Sequence, residues 1–374
     1  MELLYAIESC DKRAVSRLLS EGANVHELDI HGKTVLEHAV ESGDLGIVDL
    51  LINHGADAKD GGALFAAVVR GLKRIVELLL DNECCPNIMD AQEHTPLHLA
   101  ARDDDYSLVE LLLMYGANVY KVDANEWTAL HYSADNGNLE IAEMLLESKV
   151  SINATNRYGE TALDIAVFQH HEHMVKFLLQ HKADVTRTTL NIAAGRDTPA
   201  ILSCLLQHGA DLNTEGCTAL HIAIDKRLPC NVDILLDYGA KIDKADADGN
   251  TALHIATKKG DTRIVNMLLE RKAQVNAIGK EGKLALHISV LNNRQDITRL
   301  LLENGSYTNV LDDAGYSPLH YAVKNDDMSM VALLFAYRAD GFALDKEGYL
   351  PMFYSKSEGV TLILAIEMAL RKRL

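Results

Sequence analysis

The chain has 374 residues, of which 48% are hydrophobic, so it can bury more than one ordinary core and is not disordered throughout. A net charge of −18 argues against nucleic acid as the main partner, because acidic surfaces repel phosphate. No apolar run reaches the roughly 20 residues that span a bilayer, and Glu2 stands where a secretory signal would carry positive charge.

A four-residue pattern, Thr-x-Leu-His in its fullest form, recurs along the chain, several times at a spacing of 33 residues. Its copies are TVLE (34–37), TPLH (95–98), TALH (128–131), TALD (161–164), TALH (218–221), TALH (251–254), LALH (284–287) and SPLH (317–320). A second pattern follows by about 14 residues, as in VELLLMYGAN (109–118), and a third, as in DADGNT (246–251), precedes many copies. Such self-similarity predicts a stack of small structural repeats.

One repeat is predicted from its residues to be a pair of helices with a turn. Thr95 is a helix N-cap, and Pro96 suits the first helical position. The second helix has apolar residues at helical spacing and stops at Gly116, which tolerates a left-handed conformation. The Asp-x-x-Gly stretch turns the chain into the next repeat. A single repeat cannot bury its own apolar face, whereas neighbouring repeats can.

This pattern resembles the ankyrin repeat, and the resemblance covers essentially the whole chain. It implies an all-α solenoid, curved, with β-turn fingers and diverged end caps. We expect 12 repeats in a single solenoid spanning 1–374, and we name each by the residue near which it begins. They begin near 1, 29, 61, 90, 123, 156, 189, 213, 246, 279, 312 and 345, the last a C-terminal cap in which the tetrad has become LPMF.

The tetrad histidines are His98, His131, His221, His254, His287 and His320. A catalytic residue would not recur six times at a fixed pitch, and in ankyrin repeats this histidine is a buried scaffold residue. The sequence FQHHEHMV (168–175) lacks the HExxH spacing of a zinc site. No phosphate-binding loop or nucleophile motif is present, so we predict no catalytic residues, no metal and no cofactor.

Repeats 61 and 189 are shorter than the others and lack the Asp-x-x-Gly-x-Thr turn. One interpretation is a neutral deletion in a surface loop. The other is that each missing turn leaves a notch in the row of fingers or a kink in the solenoid. The sequence leaves both open.

Partner contacts in the ankyrin family lie on the fingers and on the outer end of the first helix, which line a concave face. The matching positions predicted to bind a partner here are Trp127, Tyr158, Phe168, His94, Asn125, Lys258, Lys259, Lys280, Lys283 and Tyr316. Trp127, Tyr158 and Phe168 are the main candidates because aromatic side chains are the usual affinity anchors. The alternative is that an aromatic ring at such a position only packs on the adjacent finger. The lysines form a second, weaker candidate patch.

The resemblance therefore implies a non-catalytic scaffold that binds another protein and is monomeric on its own. Two alternatives stay open: an adaptor that brings a target to an enzyme such as a ubiquitin ligase, and a host-targeting effector from an intracellular bacterium or a virus. The six cysteines contain no CxxC pair, so we expect reduced thiols and a cytoplasmic location, with access to the nucleus left open.

Overall fold

The computed structural model describes residues 2–59, 61–213 and 218–371, which form two compact units, Met1–Asp184 and Val185–Leu374. Over these residues the fold is α-helical and contains no extended strand, which confirms the predicted all-α repeat class. The only β pairing among them consists of isolated bridges, Leu28 with Thr34 and Thr155 with Thr161, at the bases of two fingers.

The first compact unit contains six consecutive pairs of short helices. They are α1 Glu2–Glu8, α2 Lys12–Ser20, α3 Val35–Ser42, α4 Leu45–Asn53, α5 Gly61–Val69, α6 Lys73–Asp81, α7 Pro96–Arg102, α8 Tyr106–Met114, α9 Ala129–Asn136, α10 Leu139–Glu147, α11 Ala162–Phe168 and α12 Glu172–Gln180. The first helices of successive repeats pack side by side, α7 with α9 and α9 with α11.

The second compact unit continues the same pattern. Its helices are α13 Arg187–Ala194, α14 Pro199–Gln207, α15 Ala219–Asp225, α16 Pro229–Asp237, α17 Ala252–Lys259, α18 Thr262–Glu270, α19 Ala285–Leu291, α20 Gln295–Glu303, α21 Pro318–Lys324, α22 Met328–Ala336 and α23 Glu358–Arg371. The LPMF segment does not form an α-helix. Instead, Pro351–Tyr354 is a short 3-10 helix, consistent with a diverged terminal repeat.

Repeat 90 shows how the sequence produces the helix pair. The Thr95 hydroxyl accepts the backbone N–H of His98, which satisfies one of the free donors at the start of α7. Leu108, Val109 and Leu112 of α8 are fully buried at helical spacing. Beyond α8, Gly116 has a φ of +80°, the left-handed conformation that its position in the motif predicts.

The finger between two repeats is organised by its first residue. In repeat 123, the Oδ1 atom of Asp123 accepts the backbone N–H groups of Asn125 (2.8 Å) and Trp127 (2.9 Å). Asn156 holds its own finger in the same way. Repeats 61 and 189 lack this finger: α5 begins at Gly61, while α13 is capped by Thr186. The division between the compact units falls beside the second of these short repeats.

Candidate functional site

The six tetrad histidines are buried and bond a backbone carbonyl in or just before the finger of the next repeat. His98 is 2% exposed, its Nδ1 accepts the backbone N–H of Thr95 (3.1 Å), and its Nε2 donates to the carbonyl of Lys121 (3.0 Å). The Nε2 atoms of His221 and His287 likewise bond the carbonyls of Lys244 and Val310, which, like Lys121, lie two residues before the residue that opens the next finger. The Nε2 atoms of His131, His254 and His320 bond the carbonyls of Glu160, Lys283 and Tyr349, which lie four residues after that opening residue. The predicted scaffold role is therefore confirmed.

Burial lowers the pKa of all six rings, because the charged imidazolium is poorly solvated inside the stack. The pKa of His98 falls to about 4. These histidines are therefore neutral at pH 7, with the proton on the nitrogen that donates to the backbone carbonyl.

A pair of aromatic rings packs beside the opening aspartate of three fingers. The rings belong to the residues four and nine positions after the opening aspartate. The pairs are Trp127 with Tyr132 (centroids 5.0 Å apart), Tyr316 with Tyr321 (5.5 Å) and Tyr349 with Tyr354 (6.5 Å). In each pair the second ring donates its hydroxyl to the aspartate that opens the finger. We call this arrangement the aromatic pair.

The three main aromatic candidates differ in their surroundings. Trp127 is half-buried and contacts Tyr132 and also His131, at a centroid distance of 5.9 Å. Tyr158 lies on the next finger and is 73% exposed, and Phe168 at the end of α11 is 49% exposed. The contacts of Trp127 correspond to the packing alternative raised by the sequence. A partner-binding role for the three residues stays a prediction.

Three other candidate positions also make contacts within the chain. His94 Nδ1 lies 2.9 Å from Asp90 Oδ2, and its ring faces Tyr132. Asn125 is exposed at a finger tip, where its carbonyl accepts the backbone N–H of Arg157 (3.1 Å). Tyr316 is half-buried, with the Lys324 ammonium 4.8 Å from its ring centroid.

The four candidate lysines line one groove on the second compact unit. This groove has a volume of about 760 Å³, and its apolar side chains are Ile222, Ile255, Ile288 and Leu291. The three isoleucines are spaced by 33 residues and occupy the place that a tyrosine takes in the aromatic pair. The groove therefore occurs where successive repeats lack the second ring of the pair. We call it the isoleucine groove.

Charged side chains surround the isoleucine groove and mostly neutralise one another. Lys259 pairs with Asp225 (2.6 Å), Lys280 with Asp248 (3.1 Å), and Lys283 with Glu281. Lys258 is exposed and has no ion pair within the part of the chain that the structure describes. A partner would meet an apolar floor bordered by polar groups.

The candidate lysines of this groove are predicted from the sequence, whereas its isoleucine floor is not. Ile222, Ile255 and Ile288 each follow a tetrad histidine directly, whereas Tyr132, Tyr321 and Tyr354 occupy the same position in other repeats. That alternation was visible in the sequence, although the significance of a missing ring depends on knowing that the ring bonds the aspartate of the finger.

The described residues contain no group of three His, Cys, Asp or Glu side chains placed to hold a metal ion. In the same residues, no helix combines the length and apolar character required to cross a membrane.

Comparison with known proteins identifies the repeat. A family model described as ankyrin repeats (3 copies) matches residues 3–61, 59–123, 97–189, 185–246 and 227–312, and one described as ankyrin repeats (many copies) matches 301–354. The B-cell lymphoma 3 protein homolog of Mus musculus is 34% identical over 26% of this chain and 23% of its own length.

Two further relatives come from a plant and a virus. Protein VAPYRIN-LIKE of Medicago truncatula is 30% identical over 28% of this chain and 24% of its own length. The fowlpox virus (strain NVSL) ankyrin repeat protein FPV223 is 32% identical over 29% of this chain and 79% of its own length. The matched segment thus spans about a quarter of the first two relatives. With repeat models matched along nearly the whole chain and helix pairs of the expected form, this chain belongs to the ankyrin-repeat family.

Proposed function

We propose that the chain is a non-catalytic scaffold that binds another protein through its concave face. The observation that carries this proposal is the isoleucine groove, an open groove with an apolar floor and charged borders across three repeats of a family whose members are interaction modules. A concave site with a few apolar side chains and convergent polar groups is where ligands usually bind. The proposal includes a cytoplasmic location and a monomeric state.

The two candidate surfaces would suit partners of different charge. Residues 1–184 contain 14 Lys and Arg against 31 Asp and Glu, whereas residues 185–374 contain 22 against 23. The surface around Tyr158 and Phe168 therefore suits a partner segment with apolar anchors and flanking basic residues, because opposite charge speeds encounter. Because residues 185–374 are almost neutral, the charge of that half does not oppose binding of an acidic segment in the isoleucine groove.

Affinity capture followed by mass spectrometry tests the proposal. The wild-type chain is compared with Tyr158→Ala/Phe168→Ala, which alters the exposed aromatic surface, and with Ile255→Arg, which places a long cation on the groove floor. Trp127 is left intact because its substitution would disturb Tyr132. Circular dichroism checks that both variants keep their helical content.

We expect one variant to lose a partner that the wild type captures. Removal of a central aromatic anchor costs about 2 kcal/mol or more, roughly a thirtyfold loss of affinity. Titration calorimetry with the captured protein measures that loss. If both folded variants retain every partner, the concave-face proposal is wrong. The adaptor and effector roles stay open, since the relatives come from a mammal, a plant and a virus.

A further inference from the structure

The aspartate that opens a finger binds a tyrosine hydroxyl in three repeats. The bonds join Tyr132 to Asp123, Tyr321 to Asp312 and Tyr354 to Asp345, each with a distance of 2.6 Å from the hydroxyl to Oδ2. Burial and the neighbouring carboxylate raise the pKa of Tyr132 and Tyr321 well above 10, so the hydroxyl remains the donor. Each of these repeats therefore supplies both the acceptor and the phenol.

Repeat 246 supplies the acceptor without the phenol. Asp246 Oδ1 accepts the backbone N–H groups of Asp248 (2.9 Å) and Asn250 (2.8 Å), the same two bonds that orient Asp123. Its Oδ2 is consequently held in the orientation that receives a hydroxyl elsewhere. The residue nine positions on is Ile255, however, and no hydrogen bond or ion pair to this Oδ2 is found among the described residues.

The space of the missing ring pair is open. Asn250 and Ile255 occupy the positions of Trp127 and Tyr132, and both line the isoleucine groove together with Asp246. The 760 Å³ volume of the groove is large enough for a phenol ring and the side chains next to it. An aromatic ring placed over Ile255 would bury apolar surface on both sides of the contact.

The charges that line the groove nearly balance, so a neutral donor to Asp246 leaves that balance unchanged. Five lysines and four carboxylates line the groove, and three of the lysines, Lys259, Lys280 and Lys283, are each paired with one of these carboxylates. A phenol can donate to the carboxylate without adding charge. Lys258, with its ammonium exposed, can receive an acidic residue next to the inserted ring.

Building on the protein-binding function proposed above, we propose that the isoleucine groove binds a partner segment by taking in a tyrosine side chain. The tyrosine ring lies on Ile255 and its hydroxyl donates to Asp246 Oδ2. Apolar residues beside the tyrosine contact Ile222 and Ile288, and a flanking carboxylate lies near Lys258. The partner thereby completes in trans the hydrogen bond that other repeats make within the chain.

Methyl NMR of the full chain with labelled isoleucine δ1 methyls tests this inference. The probes are three acetylated, amidated pentapeptides, Glu-Leu-X-Leu-Glu, in which X is Tyr, Phe or Lys. We expect the tyrosine peptide to shift the Ile255 methyl saturably and by more than the Ile222 and Ile288 methyls. The phenylalanine peptide should bind about tenfold more weakly, because it lacks a hydrogen bond to a charged acceptor.

Two variants isolate the hydroxyl contact. Asp246→Asn should preserve the finger, since Asn156 holds its finger with the same two N–H bonds, and should reduce the tyrosine peptide to the affinity of the phenylalanine peptide. Ile255→Tyr should supply the hydroxyl from within the chain and prevent the tyrosine peptide from binding. Circular dichroism and the methyl spectrum report whether each variant is folded.

Equal binding of the tyrosine and phenylalanine peptides would overturn the inference, as would preference for the lysine peptide or the absence of any methyl shift with all three. The capture experiment judges the proposed function separately. A partner lost by the Ile255→Arg variant but lacking a tyrosine in its contact segment would leave the protein-binding function standing and remove only this inference.

Discussion

Substitution of His98 by alanine tests the scaffold role of the tetrad histidine. The change removes the bond from the Thr95 N–H to Nδ1 and the bond from Nε2 to the Lys121 carbonyl. Each loss leaves a backbone group without its partner, at a cost of about 1–3 kcal/mol per group. We expect the free energy of unfolding to fall by about 3 kcal/mol at pH 7.5.

The difference in unfolding free energy between the wild type and His98→Ala should become smaller as the pH falls. Burial holds the pKa of folded His98 at about 4, against an ordinary value of 6.5. Between those values the unfolded chain takes up a proton and the folded chain does not, so stability is lost as the pH falls from 6.5 towards 4. The shift corresponds to about 3 kcal/mol. The alanine variant lacks this group, and its deficit relative to the wild type should approach zero near pH 4.

Urea denaturation followed by Trp127 fluorescence measures the effect, because the tryptophan packs on Tyr132, whose ring lies 6.0 Å from that of His98. His54→Ala serves as the control. His54 is exposed, and among the described residues its ring bonds only the Leu50 carbonyl of its own helix end, so its loss should change stability by less than about 1 kcal/mol. A His98→Ala deficit that stays constant from pH 7.5 to 4.5 would refute the reasoning.

Three further predictions concern stability and local opening. Trp127→Ala should destabilise the fold by about 2 kcal/mol, because the ring contact with Tyr132 is lost. Trp127→Tyr places the residue found at the equivalent position, Tyr316, and should retain most of the wild-type stability. Thermal unfolding measures both changes. Gly279→Ala should lower the free energy of unfolding by about 1–3 kcal/mol, because the new Cβ would lie 2.7 Å from the buried His254 ring. Urea titration measures this change, and an unchanged midpoint would show that the finger moves to accommodate the methyl group. Amides of α5 and α13 should exchange before those of α3 and α15, since repeats 61 and 189 lack the finger bonds; uniform protection in hydrogen-exchange mass spectrometry would contradict a mechanical effect of the deletions.

The sequence predicted the fold because each local signal agrees with the packing. The Thr caps, the apolar spacing of the second helix and the glycine at its end all describe the same helix pair, and the repeat supplies the neighbour that buries its face. The terminal repeat differs at LPMF, where Pro351 begins a 3-10 helix. Because only the last repeat has this LPMF sequence, the repeat pattern alone does not predict its 3-10 helix.

The candidate site was less predictable, because exposure depends on contacts between residues of different repeat positions. Trp127 occupies a finger position and looks exposed in sequence, yet Tyr132 approaches it from the following helix. Conversely, Ile255 looks like an ordinary helix residue. It lines a groove only because it is smaller than the tyrosine found at that position elsewhere.

The last residue of the tetrad is acidic in the repeats that precede the two short ones. That residue is Glu37 before short repeat 61 and Asp164 before short repeat 189, while Phe65 and Asn191 follow the corresponding leucine in the short repeats. Glu37 and Asp164 still accept the N–H of the threonine cap, at 2.7 Å and 2.9 Å, which is the local half of the histidine's role. For His131, His254 and His320 the other half is a bond to a finger carbonyl of the following repeat, which a repeat without a finger cannot provide. A buried histidine there would leave its Nε2 proton without that acceptor, at a cost of about 1–3 kcal/mol. An acidic residue, which caps the helix and carries no second donor, avoids that cost.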